Sequence, residues 1–443
     1  MCSTGLGPVE HIPYAQTFFS LEDAMSGRKF IIPEFGPLAG MRVIGAGSLI
    51  AMPFAASMLA EFGAEVIQIE RPSVGDTYRT FGSLTESADG TRVGAAWIQE
   101  ARNRLSMTLE LSPGSRDAQE IFLGLIRESD VFIENMVWLG KLGIHDDELR
   151  RVNPALVIVH ISGFGHREFG GVPEICEQAS YDMIGQAFSG YAMLNGWPDR
   201  PPLLTAPALS DYVTALFSLF GLLTAYMDAQ KTGRGQVVDV AQFEAQAKIM
   251  REAFTRRSLG LGNVERSGNR STSAQPWDVF LSRDGRYMSL GAVGKAVYTR
   301  FLGAMGFDGK RFPYEEVAAT SEAINSPGGL ELDAEIKRWF SEHDADEIED
   351  VMRRAKVPCS RINTVAECME HPHFRSRDDF VTYTDQTLDR EVCAFGVFPK
   401  LSATPGRIWR GAPTLGQDTD EILRRILGRS EADIARLHAE GVV

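Results

Sequence analysis

The chain has 443 residues, 44% hydrophobic and 23% charged, with a formal net charge of -14. That length exceeds what one core usually serves, so two or three domains are expected, and the composition is that of a packed, water-soluble protein rather than a disordered or collagen-like one. The acidic balance excludes a general nucleic-acid binder, whose affinity rests on clustered Lys and Arg; an anionic ligand here needs a local basic patch.

Cys2, Cys176, Cys359, Cys368 and Cys393 are scattered, with no Cys-x-x-Cys pair and no zinc-site spacing. Residues 1–35 lack the basic start, apolar middle and small-residue cleavage site of a signal peptide, and no uninterrupted apolar run reaches the roughly 20 residues of a membrane helix. A cytoplasmic protein without a membrane segment is expected.

From Met41 the pattern runs strand over 42–44, helix over 53–62 and strand over 65–70. A helix over 115–128, a strand over 131–134, a short helix over 146–152 and a strongly apolar strand over 156–161 continue the alternation. β-branched runs between helical segments predict a parallel sheet covered on both faces. After Pro201 and Pro202, a long apolar helix begins near Asp211, reads as buried, and stops at the basic, glycine-rich residues 231–235. A strand over 236–240 and a helix through about residue 257 follow. The stretch 260–275, rich in Gly, Asn, Ser and Arg, lacks periodicity and reads as a linker. Beyond it, a strand pair about Arg283-Asp284-Gly285 and helices over 295–305 and 332–341 make a smaller α+β unit. A last helix covers 419–427.

Gly45-Ala46-Gly47-Ser48-Leu49-Ile50 follows a strand and precedes a helix, and Glu70 ends the next strand, as in a dinucleotide-binding site. Ile50 stands where such a site has its third glycine, so a plain strand-to-helix turn is the better reading and a dehydrogenase is disfavoured. Arg71, Arg79, Arg102, Arg104 and Lys141 follow strand ends or nearby loops, where open α/β sheets bind ligands. Each alone reads as solvated surface charge; together they form a candidate phosphate site. Asp211, between Ser210 and an apolar run, reads as a helix cap whose carboxylate the helix dipole and backbone N–H groups hold ionised. The same position suits a nucleophile. Tyr181-Asp182 reads as another helix start. His371-Pro372-His373 is a close histidine pair split by a turn-forming proline, so no metal site is expected, and no Gly-x-Ser-x-Gly elbow is present.

Longer runs carry a resemblance: Phe35-Gly36-Pro37-Leu38-Ala39-Gly40-Met41-Arg42-Val43, Phe62-Gly63-Ala64-Glu65-Val66, Ser162-Gly163-Phe164-Gly165, Gln186-Ala187-Phe188-Ser189-Gly190-Tyr191, Thr232-Gly233-Arg234-Gly235-Gln236 and Ile408-Trp409-Arg410-Gly411-Ala412-Pro413. From about Phe35 to the C-terminus the chain resembles the class III CoA-transferases, the formyl-CoA, carnitine and bile-acid CoA-transferase type. The resemblance implies that Asp211 attacks an acyl-CoA thioester, forms a mixed anhydride and then an aspartyl-CoA thioester, and passes CoA to an acceptor acid. A CoA thioester is the co-substrate, with no permanently bound cofactor and no metal. CoA contacts are implied for Leu49, Ile50, Arg71, Arg104, Asn135, Lys141 and Leu142, and substrate contacts for Tyr181, Asp182 and Gln275. The acid implied is carnitine-like, a bile acid or steroid, or aromatic.

The implied fold is α/β: a Rossmann-like large domain (36–260, completed by a returning segment 366–443), a smaller α+β domain with its linkers (261–365) and an N-terminal extension (1–35). Two subunits interlock as a homodimer, with a related second subunit as an alternative. The chain departs from the family pattern at Met136-Val137-Trp138-Leu139-Gly140, where a basic residue and a Pro-Gly pair are common. It departs again over 268–276, which keeps Gln275-Pro276 without the glycines of the loop that shields the intermediate. Two rivals share the fold. An α-methylacyl-CoA racemase needs a second proton carrier, and no histidine lies between His166 and Asp211. A non-catalytic CoA-binding subunit of a paired transferase is disfavoured by the retention of Asp211.

Overall fold

The computed structural model describes residues 28–87, 89–136 and 139–443. Residues 1–27 of the N-terminal extension, Cys2 among them, and the Val137-Trp138 part of the departure after Asn135 lie outside the described residues.

Six strands form one parallel sheet: β1 (Arg42–Ala46), β2 (Glu65–Glu70), β3 (Leu105–Thr108), β4 (Val131–Glu134), β5 (Val157–Ser162) and β6 (Val237–Ala241). Their order across the sheet is β3-β2-β1-β4-β5-β6. Side chains alternate faces along a strand, and both faces are covered here: Ile44, Ile67, Phe132 and Ile158 enter one core while Val43, Val66, Val131 and Val157 enter the other. Chain order reverses between β1 and β4, which opens a crevice beyond the carboxyl ends of those two strands.

β3 was not anticipated from the sequence. It is four residues long and carries Ser106 and Thr108, too short and polar to stand out. Residues far along the chain satisfy it: the Ser106 backbone N–H donates to Asp418 Oδ2 at 2.8 Å and that of Thr108 to Thr419 Oγ1 at 3.0 Å. The C-terminal residues Ile422, Leu423, Ile434, Leu437 and Val442 likewise share the core of this sheet. In place of one final helix the structure has two, Thr419–Arg425 and Glu431–Ala439, the second capped by Ser430, whose side chain accepts from the Asp433 N–H.

Helix α1 (Ala51–Glu61) follows β1, and α2 (Arg116–Arg127) is capped by Ser115. Next come α3 (Asp182–Phe188), α4 (Leu209–Thr232) and α5 (Gln242–Lys248). The helix expected to run to residue 257 breaks after α5 and resumes at Ala253–Ser258, with Arg251 at φ 51° between the two pieces. Gly233 closes α4 in the left-handed conformation at φ 67°.

α4 departs from expectation. It is long and apolar enough to cross a membrane by length and composition, although no such stretch was expected. Nor is it fully buried. Ala215, Leu219, Leu222, Ala225 and Ala229 pack on the sheet, while Leu216, Phe220 and Met227 are 50, 71 and 59% exposed.

A second, antiparallel sheet of β7 (Trp277–Leu281), β8 (Tyr287–Gly291) and β9 (Cys359–Arg361) has its own core, built from Phe280, Met288, Phe301, Leu332, Phe340 and Ile348. Residues 261–276 ahead of it form no helix or strand.

Candidate active site

The crevice is shaped by one side chain reaching across from the neighbouring strand. Asn135, just past β4, accepts from the Ser48 N–H at 3.0 Å through Oδ1 and donates to the Ser48 carbonyl at 2.9 Å through Nδ2. A Cβ on Gly47 would stand 1.8 Å from Asn135 Oδ1, so this approach needs glycine. Leu49 then takes a left-handed conformation at φ 68°, rare for a leucine, and its N–H donates to Asp76 Oδ1 at 3.0 Å. The clamped loop walls a cleft of about 570 Å³, within the size range of small-molecule sites. Leu49, Ile50, Asn135, Lys141 and Leu142 line one side, and Ser180, Tyr181 and Asp211 the other.

Asp211 is not the cap its sequence position suggested. α4 begins at Leu209, and its N-cap residue, Ala208, has no capping side chain. Asp182 does the capping from α3: its Oδ1 accepts from the backbone N–H groups of Ser210 at 2.7 Å and Asp211 at 3.3 Å, while Gln186 donates to Oδ2 at 2.7 Å. Those N–H groups are therefore spent on Asp182. The Asp211 carboxylate receives a hydrogen bond from Gln242 instead, Nε2 to Oδ1 at 2.5 Å. Burial and then the neighbouring Asp182 charge push the Asp211 carboxyl up to about 7, against the opposing pull of Gln242. The sequence expectation of a carboxylate held ionised by the helix start is corrected accordingly.

The fold agrees with what most of the chain is similar to. The model of CoA-transferase family III matches residues 38–419. The chain belongs to CoA-transferase family III. It is 35% identical over 414 residues to the bile acid CoA-transferase BaiK of Clostridium scindens, covering 93% of this chain and 90% of that one. To the succinyl-CoA–L-malate CoA-transferase alpha subunit of Chloroflexus aurantiacus it is 34% identical over 417 residues, covering 92% of each. Among solved structures, a CAIB/BAIF family protein from Brucella suis superimposes with a TM-score of 0.75 at 25% identity, over 89% of this chain and all of that one.

Of the residues that the family III resemblance pointed to, the structure brings Leu49, Ile50, Asn135, Lys141, Leu142, Tyr181 and Asp211 together around the cleft. Asp182 stands behind Asp211 as the helix cap. Arg71 directly follows β2, with its side chain 69% exposed and its Nε 3.2 Å from Glu110 Oε2.

Arg104 is not brought to the cleft surface. It is 1% exposed, bonded to Gln68 Oε1, and lies over the Trp97 ring at 5.0 Å; burial pulls its pKa down to about 10. Gln275 is also buried, donating to the carbonyls of Val317 at 2.5 Å and Gly329 at 2.9 Å beside the second sheet. Arg79 and Arg102 are not a solvated patch: they pair with the buried Glu70 and Glu61.

Gln242 and Ser180 were not singled out from the sequence. Gln242 directly follows β6 and so sits at a carboxyl strand end, the one signal that would have flagged it.

Glu134, His160 and His166 bring ligand-type atoms within 4.8 Å of one another. His160, however, is engaged at both ring nitrogens, Nδ1 with Glu134 at 2.6 Å and Nε2 with Asp146 at 3.0 Å. Burial alone would lower its pKa, but its hydrogen bonds to the two carboxylates carry it up to about 10. An imidazolium has no lone pair for a metal. The cluster instead braces the cleft, because Glu134 also accepts from the Met136 N–H, next to Asn135.

Proposed function

We propose that this chain transfers CoA from an acyl-CoA donor to a free carboxylic acid through an aspartyl-CoA thioester on Asp211. The observation that carries this reading is the Asp211 carboxylate lining the cleft at the topological switch point, opposite the clamped loop 47–50. The carboxylate attacks the thioester carbonyl, giving a mixed anhydride and CoA thiolate. Thiolate attack on Asp211 Cγ releases the first acid and leaves CoA on the aspartate. An acceptor carboxylate repeats the sequence in reverse, and no net proton transfer is required.

Leu49, Ile50 and Leu142 offer an apolar wall for CoA, and Asn135 holds the loop that carries the first two. Arg71 and Lys141 are assigned to its phosphates, where a cation is favoured by charge. Arg104, from inside, supports the sheet beneath. Tyr181, 66% exposed at the rim, is assigned to the acyl or acid group. The two relatives are named for a bile acid and for malate, so the acid pocket varies within the family and the acceptor is assigned only as a carboxylic acid. Racemisation is disfavoured because no histidine lines the cleft among the described residues.

The working form is assigned as a cytoplasmic, interlocked homodimer, supported by the exposed apolar face of α4. A heteromer with a related chain is the alternative, since one relative is named as an alpha subunit. Purified protein incubated with pairs of acyl-CoAs and free acids, followed by chromatography of the CoA esters, tests the activity. Exchange by the wild type and its loss, by about 10³-fold or more, in Asp211→Ala is expected. Equal exchange by both proteins contradicts the reading.

A further inference from the structure

We propose that Gln242 is a catalytic residue of CoA transfer, its side-chain amide donating to Asp211 Oδ1 as that oxygen becomes an oxyanion. This inference rests on the reading of Asp211 as the covalent carrier.

Gln242 is 5% exposed, and its Nε2 lies 2.5 Å from Asp211 Oδ1. The amide is not free to turn. Ser180 Oγ donates to Gln242 Oε1 at 2.7 Å, so the oxygen end is fixed on Ser180 and the NH₂ end on Asp211. An ionised carboxylate only accepts, which independently demands the NH₂ end at Asp211. Two glycines make room for this arrangement. A Cβ on Gly185 of α3 would stand 2.7 Å from Gln242 Cγ, and one on Gly163, just past β5, would stand 2.2 Å from Ser180 Cβ. The Ser180–Gln242–Asp211 chain is thus held from both sides by close packing.

Its chemistry follows from which oxygen is engaged. With Oδ1 held by Gln242, Oδ2 accepts no hydrogen bond among the described residues and is the oxygen left to attack the acyl carbon. A C–O bond forms there and the thioester C–S bond breaks, releasing CoA thiolate. The thiolate sulfur then adds to Asp211 Cγ, a C–S bond forms, and the carbonyl π pair moves to Oδ1. That places the negative charge on the atom the Gln242 N–H already faces. Collapse returns the pair, breaks the Cγ–Oδ2 bond and expels the acid as a carboxylate carrying Oδ2. Atoms and charge balance with no proton moved. A fixed donor at the developing oxyanion acts without reorganisation.

Gln242→Met keeps the volume and removes the donor. Its kcat for CoA exchange is expected to fall by about 10²–10³, as for removal of one oxyanion donor, with KM for the acyl-CoA within about twofold. Ser180→Ala frees the amide to turn and is expected to lower kcat about tenfold, the worth of one neutral hydrogen bond. In the Gln242→Met background Ser180→Ala should cost nothing further, because the serine acts through the amide. Circular dichroism checks folding. A folded Gln242→Met enzyme with wild-type kcat overturns the proposal, as does an additive effect of Ser180→Ala. Should Gln242→Met fail to fold, Ser180→Ala alone decides, and unchanged kcat overturns the proposal. Failure of the underlying reading looks different: Asp211→Ala would then exchange CoA as fast as the wild type.

Discussion

The Asp211 carboxylate, proposed to attack a thioester, has to be ionised but not quenched, and its surroundings are compatible with both. Burial and the Asp182 charge hold its carboxyl near 7, so about half is ionised at neutral pH, while the single Gln242 hydrogen bond favours the anion. The sign follows directly: the nucleophile is lost as pH falls through the raised pKa. The kcat/KM profile should show an acid limb near pH 7 in the free enzyme. Asp182→Asn keeps an acceptor for the Ser210 N–H but removes the like charge, so that limb should move to lower pH; an unmoved limb would assign it to another group. Much of this was hidden in the sequence. Asp211 was legible as a helix-start carboxylate, but Asp182 lies 29 residues earlier in the chain and Gln242 31 residues later, and no local pattern links three side chains brought together only by the packing of α3, α4 and α5.

At the scale of elements, the first strand-to-helix loop joins β1 to α1 and is clamped by Asn135. Ile50, which stands in the third glycine position, lines the cleft instead of crowding the strand. Gly47 is the residue this element cannot change. Gly47→Ala drives a methyl into Asn135 Oδ1, so it should cost on the order of 1–3 kcal/mol in stability and raise KM for acyl-CoA about tenfold or more. Denaturant melts and initial rates measure both; wild-type values would show that the Asn135 clamp does not set the loop. Strands β1, β2, β4, β5 and β6 were legible because of their β-branched runs. β3 was not, because it is short and polar, and its outer edge is satisfied by the C-terminal segment more than 300 residues away. Arg104 and Gln275 show the same limit in the site: a strand-end arginine and a Gln-Pro pair look alike in sequence whether they face a ligand or a core.

For the whole molecule, the telling surface is the exposed face of α4. A chain that leaves Leu216, Phe220 and Met227 in water on a 24-residue apolar helix needs a cover, and the proposed interlocked homodimer would supply one. Light scattering of the wild type should give twice the chain mass of 48.8 kDa. Phe220→Glu should shift it towards the monomer or into aggregates; a monodisperse wild-type monomer would count against the dimer. The proposed reaction rests on one bond. Rapid mixing with acyl-CoA and quenching in borohydride reduces an aspartyl thioester to the alcohol, so peptide mapping should find homoserine at position 211, only when acyl-CoA is present. Unmodified aspartate at 211 under turnover, or reduction at a different carboxylate, would contradict Asp211 as the carrier of CoA.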